Sequence, residues 1–157
     1  MIFVTVGGQM PFDRMIELVD KWAATSGRRD IFAQIGPTDL LPRHIEFVHF
    51  LEPLEFQRKL GEADTIVAHA GMGSILTALQ YGKPLLVLPR RGHLHETRND
   101  HQYATAQRML ENGRVAVALD DEEFLQRLDS LHNIPAPDAI EKSASPELLS
   151  TIQGFVS

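Results

Sequence analysis

The chain has 157 residues, the length of one domain with room for a substantial core. Its 43% hydrophobic and 23% charged residues make an ordinary globular composition, and no apolar run approaches the length of a membrane span. The absence of cysteine excludes disulfides and thiolate metal sites, while a net charge of -6 argues against nonspecific nucleic-acid binding without forbidding a local basic patch.

Met1 leads straight into Ile2 to Val6, a short apolar run without alternation that predicts a strand covered on both faces. No basic stretch precedes it, so no signal peptide is expected and the cytosol is the expected compartment. The run ends at Gly7 and Gly8. Pro11 fits a first helical turn, and Phe12, Met15, Ile16, Val19, Trp22 and Ala23 mark one helical face that closes at Ser26 and Gly27. Ile31 to Ile35 and Glu46 to Leu51 predict two further strands, the second followed by a helix with Leu54, Phe56 and Leu60 inward. Next, Ile66 to Ala68 predicts a buried strand running into His69, after which Ile75, Leu76 and Leu79 keep a helical spacing until Gly82.

Another apolar strand ends at Pro89 and opens into the polar loop RRGHLHETR. Asn99 is placed as the N-cap of a helix with Tyr103, Ala106, Met109 and Leu110 inward, closed by Gly113. Arg114 to Leu119 predicts a last strand, and Asp120 or Asp121 caps a helix with Phe124, Leu125 and Leu128 inward. From Asn133 the chain loosens into a Pro- and Ser-containing stretch. Residues 1–133 therefore read as one domain and 134–157 as a linker with a short docked helix from Pro146 to Phe155. Alternating strand and helix predicts a Rossmann-like α/β domain, a parallel sheet of about six strands with helices on both faces.

His69 to Ser74 is the stretch with chemical content. Gly71 and Gly73 let the backbone approach a ligand, Ser74 is placed to cap the helix, and the first-turn N–H groups, Met72 included, face outward at the positive end of the dipole. Such a corner suits a diphosphate. The same residues also make an ordinary strand-to-helix turn, and His69 also reads as a core histidine satisfied by a carbonyl. The GMGS spacing is neither a dinucleotide GxGxxG nor a Walker GxxxxGK[ST]. A second polar cluster, Glu96, Asn99, Asp100, His101 and Gln102, opens the next helix, so both clusters fall at C-terminal strand ends, where open α/β sheets bind ligands. Gly7 and Gly8 are a plain tight turn or a second phosphate or sugar wall. Each of Arg90, Arg91 and Arg98 alone reads as a solvated loop residue, and together they suit an anionic donor or a lipid diphosphate. His93 and His95 lack a firm third ligand, so no metal site is assigned.

HAGMGS, the GKP turn, the apolar strand ending in Pro89, NDHQ and the opening MIFVTVGGQMPFDR together resemble the donor-binding half of GT-B glycosyltransferases of the family 28 C-terminal-domain type. The likeness runs from Met1 to about Leu131. It is strongest to single-domain catalytic subunits of two-component enzymes, the bacterial exopolysaccharide and capsule transferases and the dolichol-linked UDP-N-acetylglucosamine transferase. The resemblance implies transfer of a hexose from a UDP-sugar to a lipid-diphosphate-linked saccharide, inverting, with no bound cofactor or metal. It implies donor diphosphate contacts at Gly7, Gly8, His69, Gly71, Met72, Gly73 and Ser74. Ribose and sugar contacts would come from Thr77, Asn99, Asp100, His101 and Gln102, with base contacts near Phe50 to Leu54. His69, Glu96 and Asp100 are the catalytic nominees. Thr77 is a departure, since relatives often carry an acidic ribose ligand there. Because a GT-B enzyme has two such domains, a membrane-anchored acceptor-binding subunit is expected, with this chain peripheral to the inner membrane face. A non-catalytic nucleotide or nucleotide-sugar binding module is the alternative. An NAD oxidoreductase ranks last, because GGQMPF supplies only two of the required glycines.

Overall fold

The computed structural model describes residues 1–113 and 115–136. Its strands are β1 (Ile2–Thr5), β2 (Ile31–Gln34), β3 (Glu46–Val48), β4 (Thr65–His69), β5 (Leu85–Leu88) and β6 (Ala116–Val117). They are interleaved with α1 (Asp13–Ser26), α2 (Pro53–Glu62), α3 (Met72–Gln80), α4 (His101–Asn112) and α5 (Asp121–Asp129). Every pairing is parallel, in the order β3-β2-β1-β4-β5-β6. The expected short helix at Pro146 to Phe155, and Arg114 at the head of the last expected strand, lie outside the described residues.

The unbroken apolar strands follow from helices on both faces. One core layer joins Ile2, Val4, Val67 and Leu86 to Met15, Ile16 and Val19 of α1 and Phe124 and Leu128 of α5. The opposite layer joins Phe3, Ile66, Ala68 and Val87 to Leu60, Ile75, Leu79, Ala106 and Met109 from α2, α3 and α4. Alternate residues of one strand thus feed two cores, and no polar face is left over.

Several expected boundaries move. The second half of Glu46 to Leu51 leaves the sheet after Val48, and the β1 ladder stops at Thr5, whose buried hydroxyl donates to Gln34 Oε1 at 2.8 Å. Pro11 precedes α1 rather than joining it, with Phe12 at the N-cap. Leu54 and Leu110, expected inward, are 79% and 45% exposed, and each sits in the first or last turn of its helix. Asp120 does cap α5, accepting from Glu123 N–H at 2.8 Å.

The order fixes where a ligand can enter. The chain leaves β1 toward β2 on one side and returns through β4 on the other, so the connections diverge at the C-terminal ends of β1 and β4. That divergence leaves a crevice, and both glycine turns flank it.

Candidate functional site: an open corner over a buried cation

A pocket of about 440 Å³ opens at this crevice. Its walls come from Val6 to Met10 after β1, from His69, Gly71, Gly73 and Ser74 at the β4–α3 turn, and from Arg90 and Gln102 beyond β5. Arg90 is the one lysine, arginine, aspartate or glutamate among these residues.

The four glycines divide into two kinds. A Cβ on Gly71 would lie 2.1 Å from His69 Cε1, and one on Gly7 would lie 2.9 Å from His69 Nε2. These two therefore make room for the imidazole, and Gly7 also needs glycine for its φ of 81°. A Cβ on Gly8 or Gly73 would meet nothing within 4 Å, so these two face open space.

Ser74 does not cap α3. Gly71 is the N-cap, no side chain caps the helix, and Ser74 lies in the first turn with its Oγ 3.0 Å from His69 Nε2. The histidine lies five residues upstream on the adjoining strand, within reach of a hydroxyl that a capping position would have aimed at the helix amides. The positive end of α3 remains open toward the pocket at Gly73 and Ser74.

Arg90 taken alone reads as a solvated loop residue, and only grouped with Arg91 and Arg98 as suited to an anion, yet it is 3% exposed, which the sequence did not reveal. Its Nη2 donates to the carbonyls of Val6 at 2.7 Å and Met10 at 2.6 Å, its Nε to Pro11 O at 3.3 Å, and its Nη1 faces His69 Nδ1 at 3.0 Å. The guanidinium also lies 5.2 Å from the Phe12 ring centroid. Five donors in a planar fork can tie a loop to a strand end in this way, and lysine cannot. Among the described residues no carboxylate pairs with it. Burial pulls its pKa down to about 10, against the weaker pull of Glu96 in the other direction. A signal was present in the sequence, since Arg90 follows Pro89 at the end of the apolar strand β5, which pairs with the strand leading into the glycine turn.

His69 is 8% exposed. Burial, then the charge of Arg90, lowers its pKa to about 3, although the Gln102 contact works the other way. It is neutral at physiological pH and cannot act there as an imidazolium acid. Gln102 completes the floor, its Oε1 accepting from Arg90 N–H at 3.1 Å and its Nε2 lying 3.3 Å from His69 Nδ1.

The second cluster comes apart. Glu96, nominated as a base, is held by Arg14 through Nε at 2.8 Å and Nη2 at 2.9 Å and also accepts from Arg91 N–H at 3.0 Å. Asp100 accepts from Gly92 N–H at 2.9 Å and occupies the N-cap position of α4, the place assigned to Asn99. Asn99 is one residue earlier, its Oδ1 accepting from His101 N–H at 3.0 Å. Asn99, Asp100 and His101 are exposed, and none lines the pocket. Thr77 is also outside its walls, its hydroxyl donating to Gly73 O at 2.7 Å. The Met72 side chain packs on the core, so only its backbone belongs to the corner. Arg91 lies 4.0 Å over the Tyr103 ring and Arg98 is exposed, so of the three loop arginines only Arg90 reaches the pocket. Of helix α4, Gln102 in the first turn is the residue that lines the pocket.

A parallel α/β sheet with an open, cation-backed corner at its switch point is one half of a GT-B fold. The chain belongs to the glycosyltransferase family 28 C-terminal domain family, which it matches over residues 1–137. Among curated relatives it is 39% identical over 66 residues to the UDP-N-acetylglucosamine transferase subunit ALG13 of Cryptococcus neoformans, covering 41% of this chain and 31% of that protein. It is 30% identical over 124 residues to the human protein of that name, covering 73% of this chain and 10% of that one. The match thus spans a third or less of these relatives' length. In fold, it matches the solution structure of ALG13 with a TM-score of 0.65 at 19% identity, over 99% of this chain and 96% of that one. It matches MurG of Acinetobacter baumannii with a TM-score of 0.64 at 19% identity, over 98% of this chain and 48% of that one.

Proposed function

We propose that this chain is the donor-binding, catalytic half of a UDP-sugar hexosyltransferase that is completed by a second polypeptide. The observation that carries this reading is Arg90, a buried cation with no carboxylate partner among the described residues, set in the wall of an open pocket beside an uncapped helix N-terminus. A buried charge is costly unless compensated, and an anionic ligand in the pocket compensates it. A nucleoside diphosphate fits the chemistry and the volume. In transfer, the leaving diphosphate gains charge, and donors already aimed at its oxygens stabilise the transition state more than the ground state.

UDP-N-acetylglucosamine is the first donor to test, because the relatives' names specify that sugar. Galactose, glucose and glucuronic acid donors follow. The acceptor on this reading is a lipid-diphosphate-linked saccharide, of the exopolysaccharide or the dolichol-linked kind, and the transfer is inverting and needs no metal. Among the described residues no carboxylate lines the pocket, so on this reading the base that deprotonates the acceptor would come from the second chain. Exposed Met10, Phe50, Leu54 and Leu94 stand in loops or a first helical turn just past the C-terminal ends of β1, β3 and β5, and suit a docked protein surface. A membrane anchor on that partner would hold this chain at the cytoplasmic face.

The same lack of a pocket carboxylate favours a second reading, a nucleotide-binding module without catalysis. Isothermal titration with UDP, UDP-sugars and NAD, followed by transfer assays with and without the co-expressed partner, separates the two. Selective UDP-sugar binding with partner-dependent transfer is the expected result. Binding without transfer in any pairing selects the module, and no UDP binding rejects both.

A further inference from the structure

We propose that Arg90 is a positioning residue that, with Gln102, fixes His69 as the tautomer protonated on Nε2 and so turns the hydroxyl proton of Ser74 outward into the pocket. The argument needs only donor and acceptor bookkeeping. A guanidinium has no acceptor, so Arg90 Nη1, 3.0 Å from His69 Nδ1, donates to it. Gln102 is oriented independently, because its Oε1 takes the Arg90 N–H; its amide nitrogen therefore faces the same Nδ1 at 3.3 Å and also donates. Two donors converge on Nδ1, which leaves no place for a proton there.

A neutral imidazole with an unprotonated Nδ1 carries its hydrogen on Nε2. That N–H points at Ser74 Oγ, 3.0 Å away, and makes the oxygen an acceptor. The Ser74 hydroxyl proton then needs an acceptor of its own, and no described residue supplies one. Ser74 lines the pocket, so a ligand oxygen is the available partner. The chain of donors runs from a buried cation through the imidazole to a hydroxyl, each member polarising the next. Gly7 and Gly71 give the ring the space it occupies, since a Cβ on either would collide with it. Toward the pocket, His69 in this setting only donates. It cannot take a proton from an acceptor, which removes it as a general base.

The binding arm of the test rests on the donor-site reading, and the spectroscopic arm does not. Ring nitrogen shifts of ¹⁵N-histidine in the free full-length protein should show His69 with a bare Nδ1 and a protonated Nε2, unchanged from pH 8 to pH 5. A proton on Nδ1, or titration near the ordinary imidazole value, overturns the proposal. Arg90→Met should move the His69 shifts toward mixed tautomers, and Arg90→Lys should partly restore them. Unchanged shifts in a folded Arg90→Met protein overturn it. If Arg90→Met does not fold, Gln102→Leu takes its place, with the same expected direction at smaller size. For UDP, Ser74→Ala should weaken binding about tenfold and Arg90→Met about thirtyfold or more, and the double variant should bind no worse than Arg90→Met alone. Additive losses overturn the relay. Should the wild type fail to bind UDP, the donor reading falls and the nitrogen shifts still decide the tautomer.

Discussion

Two arginines flank the Phe12 ring, Arg14 at 5.3 Å and Arg90 at 5.2 Å from its centroid, and they end in opposite electrostatic states. Arg14 is gripped by Glu96 and reaches Asp121 at 2.6 Å and Pro89 O at 3.1 Å. Burial works against its charge, but the hydrogen bonds to Glu96 and Asp121 more than offset that and raise its pKa. Arg90, in contrast, spends its donors on carbonyls and an imidazole, and burial lowers its pKa. A neutralised cation is a latch that ties α1 to the β5–α4 loop and α5. A cation that no carboxylate among the described residues neutralises, set beside a pocket, is where the proposed anionic ligand would be compensated. The difference lies in which carboxylates the fold delivers, since the two side chains are chemically the same.

The largest expected effect breaks the Arg90 side. Gly71→Ala drives a methyl into His69 and displaces the ring from Arg90 and Ser74, with an expected loss of about 3 kcal/mol in urea unfolding and loss of UDP binding. A stability change within error would show that the ring is not held there.

Acidification should reveal the same side at somewhat smaller cost. His69 is held at about 3 in the folded chain by burial, then by Arg90, whereas unfolded histidine titrates near 6.5. Between those values the unfolded chain binds the extra proton, so the stability contribution is complete above pH 6.5 and is lost as pH falls toward 3. At about 1.4 kcal/mol per pH unit, roughly 2 kcal/mol disappears from pH 6.5 to 5.0. Denaturant melts of wild type and His69→Asn should diverge in slope over that window. Parallel curves would mean that His69 titrates normally.

The Arg14 side is tested by Glu96→Gln. A latch loses about 1 kcal/mol of stability and leaves transfer, assayed with the partner, within about threefold. A general base would lose 10²-fold or more, as acid–base catalysis contributes on that order. The smallest stability effect belongs to Gly73→Ala, within about 0.5 kcal/mol of wild type, because its methyl points into open space. UDP affinity should nevertheless fall about tenfold. Equal affinity would place the nucleotide elsewhere.

Much of the architecture was legible in the chain itself. Runs such as Ile2 to Val6 and Leu85 to Leu88 lack alternation because helices cover both faces, and the period of Phe12 to Ala23 is that of the α1 face in the core. HAGMGS and the opening GGQ marked both turns of the crevice, since glycine is needed where backbone must pass close to something. Sequence alone did not reveal what that something was. Gly7 and Gly71 accommodate His69, while Gly8 and Gly73 leave space empty, and that distinction depends on the His69 side chain of β4 meeting the backbone turn that follows β1.

The sequence determined strand, helix and turn because those depend on neighbours within a few residues. Only tertiary structure decided that Glu96 is a latch, that Asp100 ties down a loop, and that Arg90 is a buried charge. The partners involved, Arg14 for Glu96 at 82 residues' separation and Val6 for Arg90 at 84, come together only when the sheet has formed. The role of each side chain follows from that meeting, because burial and pairing are properties of the assembled fold.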